Sequence, residues 1–176
     1  MYRFKRAETE AEFEQIFRMN HSVFSLELRQ HAADPSMRRV DKFHDKNLYL
    51  IALEQERVVA MAAAHDQPPF SVADRLADPT VLERYGRLME VRLLAIDPGH
   101  RSGLLLAGLL RLLYEHARQY EAVAISGHVD ECAMYRKLGF RDLGPPVRSG
   151  EAEYVPMVLK VADLAAREER WRARGF

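Results

Sequence analysis

Between Leu88 and Tyr120 an apolar run broken by two charges, LMEVRLLAID, meets the turn PGHRSG and passes directly into LLLAGLLRLLYEHARQY, whose apolar residues recur at helical spacing. The pattern reads as strand, tight loop, helix. An α-helix leaves its first backbone N–H groups without intrahelical acceptors and carries about half a positive charge at that end. A loop closing on Ser102-Gly103 therefore aims donors at whatever lies in front of the helix, and a phosphate is the natural guest. A buried strand and helix joined by an ordinary loop fit the same residues, and the segment alone leaves both readings open.

At 176 residues the chain suits a single domain. A domain of this size buries roughly 70% of its unfolded surface in one core. Lys plus Arg and Asp plus Glu stand at 26 each, so no charge excess points to nucleic acid. One cysteine excludes an internal disulfide and gives no basis for a cysteine metal cluster. His21, His31 and His44 lack ligand spacing, and no metal is expected. The N-terminal text MYRFKRAETEAEFEQ has no apolar signal core. Val58 to Ala64 and Leu104 to Leu110, the longest apolar runs, fall far short of the about 20 residues of a membrane span. The expectation is a cytoplasmic protein with no nucleic-acid or membrane partner.

Tyr2 and Phe4 alternate with Arg3 and Lys5 and predict a first strand. Thr9 followed by Glu12 is a capping box, after which Phe13, Ile16, Phe17, Val23 and Phe24 predict a helix from about 10 to 24. Leu28 to Lys46 is polar and broken by Asp34-Pro35, which suits a mobile flap or a short helix. Asn47 to Glu54 and Arg57 to His65 flank Gln55-Glu56 as a β-hairpin. Ala62, Ala63 and Ala64 within it suit tight packing under a helix or the close approach of a ligand. Ser71 to Tyr85 is a part-helical excursion. Beyond the central strand and helix come a strand over Glu121 to Val129, a helix over Asp130 to Leu138 closed by Gly139, a strand start at Phe140 to Leu143 and a last strand over Tyr154 to Val161. Leu164 and Trp171 share a face of a charged helix at 162–176. The order describes an α/β (α+β) domain over 1–161, a central mixed sheet of about six or seven strands flanked by helices. Ligands of such units bind beyond the carboxyl ends of strands, here Ile96-Asp97 and Gly127-His128.

Three features resemble the GNAT superfamily of N-acyltransferases: the strand EVRLLAIDPGHR running into a long helix, the segment AMYRKLGF at 133–140, and the β-α-β order. FKRAETEAEFEQIFRMN, DKFHDKN and GFRDLGPPV are more similar to the branch near N-acyl amino acid synthases and acyl-homoserine-lactone synthases. The resemblance implies the GNAT fold and an acyl thioester donor, acetyl-CoA or another acyl-CoA, with an acyl-carrier protein as an alternative in that branch. It also implies a small-molecule amine acceptor and allows a homodimer. A pyrophosphate loop patterned R/Q-x-x-G-x-G/A is implied with Arg101 at its first position. Here the glycine positions fall on Leu104 and Leu106, so the donors shift to Ser102, Gly103 and Leu104 or donor affinity is low. The resemblance extends the cofactor-binding set to Leu94, Ala95 and Ile96 at the strand end.

Acyl transfer to an amine needs a base for the ammonium proton, donors for the oxyanion and an acid for the leaving thiolate. The resemblance places Tyr135 as that acid, and a packed core tyrosine is the alternative. Glu90 and Arg92 lie two apart in the strand and share a face. Glu90 is the candidate base or ammonium binder and Arg92 a substrate contact, or the two pair with each other. His128 is a candidate proton relay or a polar cap, and Phe70 a candidate pocket wall with Tyr154. Cys132 reads as a small buried thiol in preference to an acyl-enzyme nucleophile. A non-catalytic thioester-binding module is the remaining alternative.

Overall fold

The structure is a computed structural model that describes residues 1–164. The charged helix expected at 162–176 therefore falls outside the described residues from 165 on, Trp171 included. Among the described residues the elements that build the domain are β1 (Tyr2–Arg6), α1 (Glu10–Asn20), β2 (Leu48–Glu54), β3 (Arg57–His65), β4 (Leu88–Ile96), α2 (Gly103–Ala117), β5 (Ala122–His128), α3 (Cys132–Leu138), β6 (Arg141–Asp142), β7 (Val147–Ser149) and β8 (Ala152–Lys160). Hydrogen-bonded strand neighbours run β1-β2-β3-β4-β5-β8-β6, and β7 pairs with β8. The eighth strand beyond the expected six or seven comes from short pieces after Gly139 whose two or three residues carry no alternation to read. The chain divides into two compact units, one of Met1–His65, Val91–His116 and Ser149–Ala152, the other of Asp66–Glu90, Ala117–Arg148 and the residues from Glu153 on.

In the first unit the antiparallel ladder Tyr2↔Glu54 to Arg6↔Leu50 joins β1 to β2, and Leu48↔Ala64 to Glu54↔Arg57 joins β2 to β3. Both faces of this sheet are covered. Tyr49, Ile51, Leu53, Met61 and Ala63 pack with Ile16 and Phe17 of α1, while Leu50, Ala52, Ala60 and Ala62 pack with Leu105, Leu109 and Leu113 of α2. This explains why β2 and β3 read as continuous apolar runs instead of alternating ones. Each fully buried Ile or Leu contributes roughly 1.5–3 kcal/mol. The alanines of β3 serve helix packing on both faces, the first of their two expected readings. α1 begins with the expected capping box: Thr9 Oγ1 accepts from Glu12 N at 3.2 Å, and Glu12 Oε2 accepts from Thr9 N at 3.1 Å.

The expected helix to residue 24 ends at Asn20 as α-helix and continues as a wider π turn over His21–Glu27. Residues 28–46 form neither a second α-helix nor a loose flap but a strap tied to α1. Asp34 N donates to His21 Nε2 at 2.9 Å, Arg39 N to Phe17 O at 2.9 Å, and Asn20 Nδ2 to Arg39 O at 2.9 Å. The sequence shows no periodicity here because the ties are single side-chain and backbone hydrogen bonds.

In the second unit β5 pairs antiparallel with β8 from Ala122↔Lys160 to His128↔Tyr154. The excursion after β3 folds as two 3₁₀ turns, Ser71–Arg75 and Pro79–Tyr85, and places Val72 and Leu82 on Leu88, Ala122, Ala124 and Val158. Gly86 takes φ +62, and a Cβ there would lie 2.2 Å from Glu121 Oε2, so no other residue fits the turn into β4. α3 ends at Gly139, whose φ of +111 lets its N–H and that of Phe140 bond back to Tyr135 O.

Candidate functional site

Within the first unit, Asp97 shapes the loop that leads out of β4. Its carboxylate accepts from Gly99 N at 3.2 Å and pairs with Arg57, and its carbonyl accepts from His100 N at 2.8 Å. His100 Nε2 lies 3.1 Å from Glu54 Oε2, fixing the loop's far side. Ser102 then starts α2: its hydroxyl accepts from Leu105 N at 3.4 Å and its carbonyl from Leu106 N at 3.2 Å. Helix geometry leaves the N–H groups of Gly103 and Leu104 no carbonyl one turn earlier. A Cβ at Gly103 would meet nothing within 4 Å, so the chain is uncrowded beside this residue. Leu104, at an expected glycine position, stands 75% exposed.

Arg101 points its guanidinium at Glu27: Nη2 lies 2.6 Å from each carboxylate oxygen, and Nε donates to Ile96 O at 3.4 Å. Leu94 and Ile96 direct their side chains into the α2 core, and Ala95 into the α1 core. The expectation that these three bind a cofactor therefore narrows to their backbone. Just before them Leu93 takes φ +53 inside the strand, a left-handed conformation that costs a leucine roughly 1–2 kcal/mol. Such a residue breaks the regular alternation of a strand and turns backbone groups out of the ladder. Nothing in the sequence signals it.

Arg92, the expected substrate contact, pairs with Asp41 and lies with Cζ 4.7 Å from the Phe43 ring centroid. Asp41 also accepts from Asn47 Nδ2 at 2.8 Å and Phe43 N at 3.1 Å. Burial pushes its carboxyl up, but Arg92, Asn47 and the Phe43 amide outweigh it and hold the group below the usual range. Beside it burial carries the Tyr49 hydroxyl to about 12.

The second unit holds Glu90, Phe70, His128 and Tyr135. Glu90 is 0% exposed, and its carboxylate accepts from Ser71 N at 2.9 Å, Ser71 Oγ at 2.8 Å and Val72 N at 2.6 Å. The candidate base or ammonium binder is thus also a group that holds the 3₁₀ turn. Phe70 packs at the margin of the same core cluster and is a wall in that sense.

Tyr135 leans on Gly127 of β5, where a Cβ would come within 2.9 Å of its Cδ2, and meets Phe140 edge-on at 5.9 Å. Burial drives its hydroxyl pKa well above 10, so it stays protonated and available as a donor. His128 follows Gly127 and so faces the other side of β5. There it stands edge-on to Tyr154 at 5.5 Å, with Arg75 stacked 5.1 Å from the same ring, and Nδ1 accepts from Asp130 N at 3.4 Å. The structure thus gathers His128, Tyr154 and Arg75, and Tyr154 lies near enough to Tyr135 to add to the rise of its pKa. The Cys132 thiol donates to His128 O at 3.3 Å and burial raises its pKa, which fits the buried-thiol reading. Among the described residues no three His, Cys, Asp or Glu side chains converge as a metal would require. No helix there is long and apolar enough to cross a membrane.

A mixed eight-stranded sheet flanked by helices, with a strand, an Asp-Pro-Gly loop and a Ser-capped helix, is a fold of the GNAT type. The sequence family described as N-acyl amino acid synthase FeeM matches residues 15–163, and the chain belongs to that family. No curated protein sequence gives a match. Among solved structures, FeeM, an N-acyl amino acid synthase from uncultured soil microbes, superposes with TM-score 0.75 at 18% identity, covering 93% of this chain and 98% of that one. The CoA-dependent acyl-homoserine lactone synthase BjaI, with SAM and isopentyl-CoA, gives 0.70 at 21% identity, covering 90% and 81%. An acyl-CoA N-acyltransferase from Pseudomonas aeruginosa gives 0.63 at 14%, covering 90% and 98%. The chain is accordingly an enzyme that transfers an acyl group to an amine.

Proposed function

We propose that the chain moves an acyl group from a CoA thioester to the primary amine of a small amino-acid-like acceptor by direct attack. The observation that carries this reading is the Ser102-capped start of α2, uncrowded at Gly103, with Arg101 on the loop before it. Arg101 and the Gly103 and Leu104 amides would hold the donor's phosphates, an assembly that suits an anion. The thioester supplies an activated carbonyl and a leaving thiolate. The acceptor nitrogen, as the free amine, forms the new C–N bond as the C–S bond breaks; its proton passes to solvent water, and another reaches the sulfur. Tyr135 is the proton donor to sulfur, since a protonated phenol suits a thiolate partner of pKa about 8.5. Glu90 acts as a positioning residue for the Ser71–Arg75 turn, and Arg92 offers charge to an acceptor carboxylate. FeeM's own description, an N-acyl amino acid synthase, supports that acceptor class.

A second reading, an acyl-carrier protein as donor, is favoured by Leu104 and Leu106 where glycines would bring backbone close to a pyrophosphate. Thermal unfolding with CoA, acetyl-CoA and a long-chain acyl-CoA decides between them. At about a hundred times its dissociation constant a ligand adds roughly 2.7 kcal/mol, a rise of a few degrees for a domain of this size. A shift together with amide formation from an acyl-CoA supports the first reading. No shift, with amide formed only from an acyl-carrier thioester, overturns it in favour of the second.

A further inference from the structure

We infer that Glu27 sets the affinity of this site for phosphate-bearing donors, by occupying Arg101 until a phosphate displaces it. The inference rests on the reading above that Arg101 receives the donor's phosphate. Glu27 closes the π turn and presents both carboxylate oxygens, each 2.6 Å from Arg101 Nη2. The pair is half exposed, with side-chain accessibilities of 37% and 50%, so it exchanges with solvent and can open. Arg101 stays positioned when it does, because its Nε donates to Ile96 O.

A carboxylate seated on the guanidinium is chemically a stand-in for a phosphate oxygen, since both accept from the same planar donors. A donor must therefore exchange one anion for another at Arg101 and also tolerate the Glu27 charge beside its own. An exposed ion pair is worth up to about 1 kcal/mol, which converts to a penalty of about fivefold in donor affinity. The penalty falls on thioesters that carry phosphate and spares those that do not, so Glu27 discriminates among donors by charge.

The test is calorimetric binding of CoA to the wild type, Glu27→Gln, Arg101→Gln and the double variant. Both residues are half exposed and outside the cores, so the variants fold. Steady-state rates with an N-acetylcysteamine thioester, which has no phosphate, are measured alongside. Glu27→Gln is expected to tighten CoA about fivefold, Arg101→Gln to weaken it, and Glu27→Gln to gain little in the Arg101→Gln background. The phosphate-free thioester should be used equally by wild type and Glu27→Gln. If Arg101→Gln weakens CoA but Glu27→Gln leaves it unchanged or weaker, or if its gain persists in full without Arg101, the inference is overturned and the phosphate reading stands. If Arg101→Gln binds CoA as the wild type does, the phosphate reading itself fails.

Discussion

The Glu90 carboxylate accepts from both the amide and the hydroxyl of Ser71, and also from Val72 N at 2.6 Å. A buried carboxylate with three donors is an anchor, and the donors have no water to turn to if it is removed. Glu90→Ala is expected to lower unfolding stability by about 3–5 kcal/mol, read from the urea midpoint. Unchanged midpoints for Glu90→Ala and Glu90→Gln, with turnover abolished in both, would make Glu90 a catalytic base instead.

The start of α1 gives a pH dependence with a defined sign. Burial would raise the Glu12 carboxyl, but the Glu8 amide, the Lys5 ammonium and the Thr9 amide hold it down at about 2 from its ordinary 4.5. A group depressed in the folded state stabilises fully above the unfolded value and loses that contribution as pH falls. Stability should therefore drop between about pH 4.5 and 2, and the drop should be smaller in Glu12→Gln than in the wild type when midpoints at pH 5 and 3 are compared.

Gly108 tests helix propensity against packing. Glycine to alanine inside a helix ordinarily gains up to about 1 kcal/mol. Here the new Cβ would lie 2.1 Å from Phe4 Cζ, and the partly buried ring must move. Overpacking of this kind costs roughly 1–3 kcal/mol, so Gly108→Ala should destabilise on balance. A raised melting temperature would show that the Phe4 ring yields freely.

Tyr135 and Gly127 should behave as one unit in catalysis. Tyr135→Phe removes the proposed proton donor and is expected to lower kcat by roughly 10²-fold with the donor's KM nearly unchanged. Gly127→Ala places a methyl within 2.9 Å of the Tyr135 ring and should lower kcat in the same direction while the hydroxyl is still present. Wild-type turnover in Tyr135→Phe would remove the acid assignment.

Much of the secondary structure was legible because its causes are local. The Thr9–Glu12 box, the β2–β3 hairpin, the full span of β4, the run of α2 and the stop at Gly139 each follow from residues within a few positions of one another. The GNAT resemblance follows from the same kind of short text. What the sequence could not determine are relationships set by packing. Arg101 and Glu27 lie 74 residues apart and Arg92 and Asp41 51 apart, so neither pairing leaves a periodic trace. The same holds for the Leu93 conformation, the strap over 28–46 and the bonds by which Glu90 holds the Ser71–Arg75 turn. Periodicity reports which face of an element is buried, and only the folded chain decides which polar group that burial brings within hydrogen-bonding reach.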